Sequence, residues 1–553
     1  MRVLLLRPER PLVSAVTFGE QTYPIGIGFL ISVLRQAGHT VSFVDRYLQP
    51  DAPIDPSGFD VIGLSLDSVT YRCGKRLLEW LQVKREAGDW SGKLVVGGPH
   101  PSLRPEPIPD YVDHIVRGEG ERALVDIVEG RTDQRIVAYD RIRNLDSLPF
   151  PAYDVFAKMP YEVRFAMMNP EGKLVNMNTS RGCPYGCRFC SLESIWGKGY
   201  TRFSAQRVAE DIERLVKEYD FSAVYFREDN YLLDRGRAIA IGDNLAEKRI
   251  AVPLGCEARV SDLLDESFVR ELAQRHLRHV FLGIESLSDR VLELMRKKIT
   301  VEQIYRALEN CRRNNIRVFG SFIIGVPGET EEERDLTIDG AKKLFPDGLY
   351  TLNTFYGIPH SEMYEEAIET GAVDYMDDES GFFYLKEHDE LMDITCGGSV
   401  PVWRKSPARF LGSPTNVNNL PHISCSGPGF VNPKDEDKNM IRYAGLLDAV
   451  RYLRGLGGCS RLIMNNILHL IVPTDLSCLL ENIRSCLRPG GFVMGLARFR
   501  NEGDLREAIM LNYPAEYVYS KSEFAAALSS AGFCSVSFVP VRGQYVFFQA
   551  KKC

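Results

Sequence analysis

The sequence lacks three things, each of which would have set its class. It has no long basic run, and with 67 Lys and Arg against 74 Asp and Glu its formal net charge is −7. That balance argues against a nucleic-acid-binding surface. It has no membrane-length opening. The start, MRVLLLRPER, is an apolar run closed by Arg7 and Pro8, too short for a signal core or a bilayer span, and it reads as a first buried strand. Nor do its 13 cysteines form a disulfide framework. They are scattered through a long chain with no export signal, so reduced thiols in a cytoplasm are expected.

What remains is a hydrophobic fraction of 44% and a charged fraction of 25%, as in a soluble protein with ample core. A length of 553 residues implies about three domains.

One stretch stands out. From Asn178 to Tyr200 the chain reads NTSRGCPYGCRFCSLESIWGKGY, with Cys183, Cys187 and Cys190 at C-x3-C-x2-C spacing. Gly182, Pro184 and Gly186 surround them, so the segment is a loop that can wrap, where a helix would splay the thiols. Three thiolates on a tight loop suit a soft polynuclear site, and a cube-shaped iron–sulfur cluster would keep its fourth iron open. A zinc knuckle needs a fourth ligand, and no second C-x2-C or H-x3-H follows. A chance group of buried thiols is the plainer alternative.

Upstream, strands alternate with helices. Residues 2–6, His39–Asp45, Phe59–Leu66, Lys93–Gly98 and His114–Arg117 read as strands, with helices at Ile25–Gln36 and through Leu77, Leu78 and Leu81. That alternation implies a parallel, doubly wound sheet whose ligand lies beyond the carboxyl ends of the strands. This edge is glycine-rich: Tyr23-Pro-Ile-Gly26-Ile-Gly28, Ser65-Leu-Asp-Ser68, Gly97-Gly98-Pro-His100 and Gly118-Glu119-Gly-Glu121. The glycines either admit a large flat or phosphate-bearing ligand to the backbone or make tight turns. Residues 131–177 read as a transition, with the Pro-rich DSLPFPAYD (Asp146–Asp154) separating two sheets.

Strands at Leu174–Asn178, Ala223–Phe226, Val252–Glu257, Val280–Ile284, Arg317–Ile324 and Leu349–Phe355 follow, with helices such as Ser204–Tyr219, Thr300–Asn314 and Glu331–Leu344 between them. A repeated β/α unit of this kind closes into a partial barrel with its site at the carboxyl strand ends. Those ends carry charge: Arg227-Glu228-Asp229-Asn230, Glu257 and Arg259, Glu285-Ser286, and Gly325, Gly328 and Glu329. Acidic strand ends in register point to a shared polar pocket, while any one of them alone reads as a solvated loop.

The motif GCPYGCRFC resembles the radical S-adenosylmethionine superfamily. The resemblance implies a 4Fe–4S cluster on Cys183, Cys187 and Cys190, with S-adenosylmethionine chelating the open iron and cleaved to a 5′-deoxyadenosyl radical. It places Arg227–Asn230, and so Glu228 and Asp229, at the amino group of S-adenosylmethionine. Glu285 falls at its ribose or sulfonium, the Ile323–Glu329 stretch with Gly325 near its adenine, and Phe189 beside the last cysteine. The first sheet resembles the cobalamin-binding domain of one branch of that superfamily. There Ser65, Gly97, Gly98 and His100 match the positions that cradle the nucleotide tail, and Gly118-Glu119-Gly-Glu121 closes the domain. The Asp-x-His-x-x-Gly cobalt-ligand motif is absent, because Arg7–Tyr23 holds no histidine. His100 is therefore expected as a turn or tail contact. Where the branch has a P-G-T turn this chain has Gly357-Ile-Pro-His-Ser361, which makes Tyr356 and His360 candidate substrate contacts.

Beyond about Asp378 the pattern changes. Glu390–Ser399 reads as a strand entering a glycine turn, Ile441–Arg454 as a helix, Ser460–Met464 as a strand and Leu476–Cys486 as a helix. Leu487–Gly491 reads as a turn before the strand Phe492–Leu496, then come a helix Ser520–Ala531 and β segments Val536–Pro540 and Tyr545–Gln549. LRPGGF and the AGF turn resemble the second half of class I methyltransferases, whereas DITCGGS departs from their first half. Either a non-catalytic shaping domain or a second methyl-donor site fits. The remaining cysteines share no ligand spacing and read as ordinary thiols.

The expected fold is thus α/β: a Rossmann-like or flavodoxin-like cobalamin domain (1–145), a linker (146–172), a partial (β/α)6 TIM-like barrel as radical S-adenosylmethionine core (173–376) and an α/β methyltransferase-like domain (377–553). The expected activity is cobalamin-dependent methyl transfer to an unactivated carbon or phosphorus of a small-molecule biosynthetic intermediate. Ring rearrangement or oxidative cyclisation and a non-catalytic sensor are the alternatives. A flavodoxin- or ferredoxin-type electron donor is the expected partner, with no nucleic acid and no membrane.

Overall fold

The computed structural model describes residues 1–9, 22–49, 52–68, 70–161, 163, 168, 172–346, 349–376 and 381–385. Beyond these it describes 422–424, 440–442, 459–465, 480–481, 483–484, 487–498, 521–542 and 545–553. Two compact units result, one of residues 1–9 and 21–395, the other of 10–20 and 396–553.

The first unit opens with β1 (Arg2–Arg7), α1 (Ile25–Gln36), β2 (Thr40–Asp45), β3 (Val61–Ser65), α2 (Tyr71–Glu86) and β4 (Lys93–Gly97). A short α3 (Pro99–Leu103), β5 (His114–Arg117), α4 (Gly120–Val128) and β6 (Ile136–Ala138) complete its first sheet. The all-parallel order is β2-β1-β3-β4-β5-β6. Val3 to Leu6 are all buried, as expected of a strand covered on both faces. The order reverses between β1 and β3, so the ligand crevice lies beyond Arg7 and Ser65. Gly26 and Gly28, expected on that edge, sit inside α1 instead. A Cβ on Gly28 would meet Phe156 at 3.0 Å, so this glycine serves packing.

The second sheet runs β14-β13-β12-β11-β10-β7, all parallel and in chain order. Its strands are β7 (Lys173–Met177), β10 (Phe221–Phe226), β11 (Leu254–Arg259), β12 (Leu277–Glu285), β13 (Arg317–Ile324) and β14 (Tyr350–Thr354). A sheet without reversal keeps its crossover helices on one face and curls, here into a six-stranded partial barrel. Between β7 and β10 come the hairpin β8 (Ser180–Arg181) and β9 (Thr201–Arg202), α5 having preceded at Tyr153–Phe156, α6 at Leu192–Trp196 and α7 at Ala205–Tyr219. The remaining helices are α8 (Arg235–Glu247), α9 (Glu266–Gln274), α10 (Asp289–Leu294), α11 (Val301–Arg313), α12 (Glu331–Leu344) and α13 (Glu362–Glu369).

Local sequence explains their ends. Ser204 caps α7 by accepting from the Arg207 N–H, and Asp220 stops it in a left-handed turn at φ 60°. Thr300 with Gln303, and Thr330 with Glu333, form reciprocal capping boxes on α11 and α12. The Pro-rich segment after Asp146 does not hold the sheets apart. Leu145, Tyr153 and Phe156 are at most 1% exposed and share one core with Tyr23, Phe29 and the barrel strands. Its prolines end helices, but its aromatic side chains have enough area to join two sheets. The strands β15 (Val373–Met376) and β16 (Phe383–Leu385) pair antiparallel.

The second unit holds β17 (His422–Ser424), β18 (Met440–Arg442), β19 (Cys459–Asn465), β20 (Leu487–Arg498), α14 (Lys521–Ser530), β21 (Phe533–Arg542) and β22 (Tyr545–Lys552). The order is β18-β17-β19-β20-β22-β21, with β22 antiparallel to both neighbours. The helix expected from Ile441 begins as β18, and the expected turn Leu487–Gly491 is drawn into β20. Cys534 and Cys553, read as independent thiols, are joined as a disulfide. Glu390–Ser399, Arg10–Gln21, Cys396, Cys425, Cys478 and Cys486 lie outside the described residues.

Candidate active site

The cysteine loop leaves β8, at the carboxyl end of β7, and runs irregularly to α6. Its entry is set by Gly182 at φ +79°, where a Cβ would lie 2.5 Å from Arg141 and 2.6 Å from the Gly199 carbonyl. Only glycine fits both the dihedral and the space. Asp229 fixes the same residue by accepting its N–H at 2.8 Å. Past the first two cysteines, Arg188 clamps the loop to the barrel. Its Nε donates to Glu362 at 2.9 Å and its Nη1 to the Leu294 carbonyl at 3.0 Å, while a second contact reaches Glu366.

Cys183, Cys187 and Cys190 are all half-buried. Burial pushes the Cys183 thiol up and the Cys190 thiol to about 11, and the Cys187 thiol nearby raises both further. Thiolates in that setting need a cation, and a coordinated metal supplies it. Arg259 supplies part of it, its Nη1 donating to Cys187 Sγ at 3.2 Å while the guanidinium stacks 3.9 Å above Tyr185. Among the described residues no three His, Cys, Asp or Glu side chains gather around a single ion. In a cubic cluster each thiolate binds its own iron, and the three cysteines on one loop fit that donor set.

Glu228 and Asp229 follow β10, Glu285 ends β12 and Glu329 follows β13, so these acids lie along the carboxyl edge of one parallel sheet in different states, while Glu257 lies inside β11. Glu228 is buried and accepts from Thr179 Oγ1 at 2.7 Å and from Ser180, and burial raises its pKa. Burial raises Asp229 as well. Glu285, at φ +68° on a bulge of β12, is paired with buried Lys297 at 2.6 Å. That ammonium lies 5.9 Å from the Phe189 ring. Gly325, at φ +74°, donates its N–H to Glu329 Oε2 at 2.5 Å. Glu329 Oε1 is buried without a donor, and burial lifts the carboxyl to about 7. Asn230 is fully buried.

On the first sheet, Ser65 and Gly97 are half-buried at the carboxyl ends of strands whose interiors are buried. Gly98 turns the chain at φ +105°. His100, within α3, is fully buried, 3.2 Å from Ser68 Oγ and stacked 4.0 Å from Tyr71. Gly118 donates its N–H to Ser102 Oγ at 2.9 Å. Glu119 has both oxygens engaged, one by Arg181 at 2.7 Å and one by the Ile142 N–H. Tyr356 is 43% exposed beside Phe382, whereas His360 donates from Nε2 to the Leu103 carbonyl at 2.8 Å and so holds α3.

Arg181, Lys297 and Arg188 were not legible as site residues. Arg181 and Arg188 sit inside or beside the cysteine motif, which is the one sequence signal that could have singled them out.

The Radical SAM superfamily model matches residues 177–340, and the B12 binding domain model matches residues 11–128. The chain is 30% identical over 398 residues to the uncharacterized methyltransferase PH0819 of Pyrococcus horikoshii, covering 66% of this chain and 83% of that protein. It is 26% identical over 394 residues to an anaerobic magnesium-protoporphyrin IX monomethyl ester cyclase of Rubrivivax gelatinosus, covering 66% and 70%. Among solved structures it is similar to the cobalamin-dependent S-adenosylmethionine radical enzyme OxsB with aqua-cobalamin and S-adenosylmethionine bound. The TM-score is 0.59 at 17% identity, over 69% of this chain and 64% of that one.

Proposed function

The chain belongs to the Radical SAM superfamily and carries a B12 binding domain, and from that premise we propose that it is a methyltransferase acting on an unactivated carbon or phosphorus of a small molecule. Its cofactors are a 4Fe–4S cluster, S-adenosylmethionine and cobalamin. One observation carries the reading. The three-cysteine loop and the glycine edge of the first sheet belong to one compact unit with a shared core.

When bound, the cluster supplies the electron that cleaves the sulfonium, and cobalamin supplies the methyl group. Cys183, Cys187 and Cys190 would hold the cluster, and Ser65, Gly97, Gly98 and Gly118 would line the cobalamin tail. The protein's own work is orientation and charge. Arg259 stabilises the Cys187 thiolate, and Arg188 and Gly182 hold the loop. Lys297 neutralises Glu285, so that position offers hydrogen bonding more than net charge. Glu329 holds a proton near neutrality and keeps one oxygen for an incoming donor, a place suited to the adenine or ammonium side of S-adenosylmethionine. Glu228 and Asp229 are proposed to act through Thr179, Ser180 and Gly182, shaping the wall of the site. Tyr356 would face substrate.

We infer further that the electron comes from a flavodoxin- or ferredoxin-type donor, and that the step belongs to a biosynthetic tailoring pathway such as that of an antibiotic. A cytoplasmic setting accords with the described residues, where no helix is long and apolar enough to cross a membrane. The second unit, with its last strand inserted antiparallel, is proposed as a methyltransferase-like domain. Similarity to a ring cyclase favours one second reading, oxidative cyclisation with the same cofactors.

Anaerobic incubation with S-adenosylmethionine and reductant tests these. 5′-Deoxyadenosine and S-adenosylhomocysteine are expected together. Deoxyadenosine alone would exclude methyl transfer in favour of cyclisation, and neither product would exclude the radical enzyme.

A further inference from the structure

One cluster of buried charge belongs to neither cofactor site. Arg181 donates from Nη1 to Glu119 at 2.7 Å and from Nη2 to Glu121 at 2.5 Å, and the three side chains are 9%, 6% and 7% exposed. The guanidinium also lies 5.6 Å from the Phe29 ring and 5.7 Å from the Trp196 ring. Glu119 and Glu121 border the start of α4 on the first sheet, while Arg181 ends β8. The bonds therefore join α4 of the first sheet to the β8–β9 pair that opens the cysteine loop, across 60 residues of chain to Glu121 and 62 to Glu119.

The bonds continue on both sides. Toward the first sheet, Gly118 precedes Glu119 and donates to Ser102 Oγ at 2.9 Å, and that hydroxyl donates to the Gly98 carbonyl at 2.8 Å. Toward the barrel, Arg181 is followed by Gly182, held by Asp229 at 2.8 Å, and then by Cys183. The Arg181 carbonyl also accepts from Arg141. Two carboxylates against one guanidinium leave a surplus negative charge, with Arg141 the further cation acting on Glu119. Such a triad is held only in one geometry, because opening it strands a buried charge. Arg can do this and Lys cannot, since only the planar fork reaches both carboxylates at once.

We propose that Arg181 is a positioning residue that couples the Gly98 turn to the cysteine loop, so that filling either site favours the closed triad and strengthens binding at the other. The proposal rests on the cobalamin and cluster reading above. Coupling of this kind is reciprocal and is measurable as binding, without turnover.

The test is the dissociation constant of hydroxocobalamin, read from its visible spectrum at dialysis equilibrium, for protein with a reconstituted cluster and for protein stripped of iron by chelation. In the natural sequence the cluster should tighten cobalamin by about fivefold or more. The triple variant Arg181→Met, Glu119→Gln, Glu121→Gln leaves no unpaired buried charge and so should fold. It should bind cobalamin equally with and without the cluster. Arg181→Lys should give an intermediate ratio. A general packing role would lower stability or affinity in both forms and leave the ratio unchanged, and a triple variant that keeps the natural ratio overturns the proposal. A ratio of one in the natural sequence overturns it whatever the variants do. Failure of the natural protein to bind cobalamin in either form would instead bring down the cofactor reading, a separate and visible outcome.

Discussion

A single methyl group at Gly98 tests the cobalamin cradle most directly. With φ +105° and ψ −173°, this residue occupies a region open essentially only to glycine, where other residues cost about 1–3 kcal/mol. A Cβ there would lie 2.6 Å from the Leu66 carbonyl oxygen, against 3.4 Å for ordinary contact. The carbonyl cannot retreat freely. It accepts the His100 N–H at 3.1 Å, and the Leu66 N–H donates to Gly97 at 2.8 Å. Losing both bonds adds roughly 1 kcal/mol each, so Gly98→Ala should strain the turn by roughly 3–5 kcal/mol. If half of that reaches the bound cofactor, hydroxocobalamin affinity should fall about 10- to 100-fold. A spectrophotometric titration measures it. The control is Gly130→Ala, at φ +71° with nothing within 4 Å of the added atom, which carries dihedral strain without the clash. It should lose about 1 kcal/mol of stability and keep its cobalamin affinity. An unchanged affinity in Gly98→Ala would refute the cradle at this turn, and equal losses in both variants would replace local geometry with general destabilisation.

Three further outcomes follow from the barrel end. Arg259→Met removes the donor 3.2 Å from Cys187 Sγ and should move the cluster's reduction potential to more negative values in an EPR-monitored redox titration; an unmoved potential would make the contact purely steric. Glu329, raised to about 7 from 4.5 chiefly by burial, stabilises the fold in its protonated form. That contribution is complete below pH 4.5 and is lost as pH rises through 7, up to about 3 kcal/mol. Melting of the cofactor-free protein should therefore fall between pH 5 and pH 8, and Glu329→Gln should flatten the curve. Lys297→Met strands Glu285 in a site where the pair is 5% and 9% exposed and should destabilise by about 3–5 kcal/mol. Adding Glu285→Gln should restore the melting temperature without restoring S-adenosylmethionine binding, and a double variant as unstable as the single would show that the charge was not the cause.

What could be read from the chain was what is local. Val3 to Leu6 announce a buried strand by continuous apolar character, and Ser204 and Thr300 announce helix starts by type and spacing. The cysteine loop is legible because three ligands and their glycines fall within a few residues of one another. His100, expected as a turn or tail contact, lies within α3 just past the Gly98 turn. The two-residue strands β8 and β9 carry no periodicity at all, although their pairing, Ser180 to Arg202 and Arg181 to Thr201, is what aims the cysteine loop. At Ile441 the start of the expected helix is taken by β18, whose pairing with β17 holds Ile441 and Arg442, and residues 443–454 of that helix lie outside the described residues.

Charge pairing is the least legible layer, and it is also what separates the acidic strand ends from one another. In the sequence Glu119, Glu228, Glu285 and Glu329 look alike, each an acid beside a glycine or a strand end. In the structure Arg181 takes the first, Thr179 and Ser180 the second and Lys297 the third. Glu329 keeps a buried oxygen without a donor among the described residues. For Glu119, Glu228 and Glu285 the difference lies in partners 12 to 62 residues away, for which sequence spacing has no signature. The charge at the carboxyl end of the barrel is thus set by Lys297 as much as by Glu285 itself. A neutralised Glu285 and a Glu329 whose carboxyl burial lifts to about 7 present less negative charge there than two free acids would.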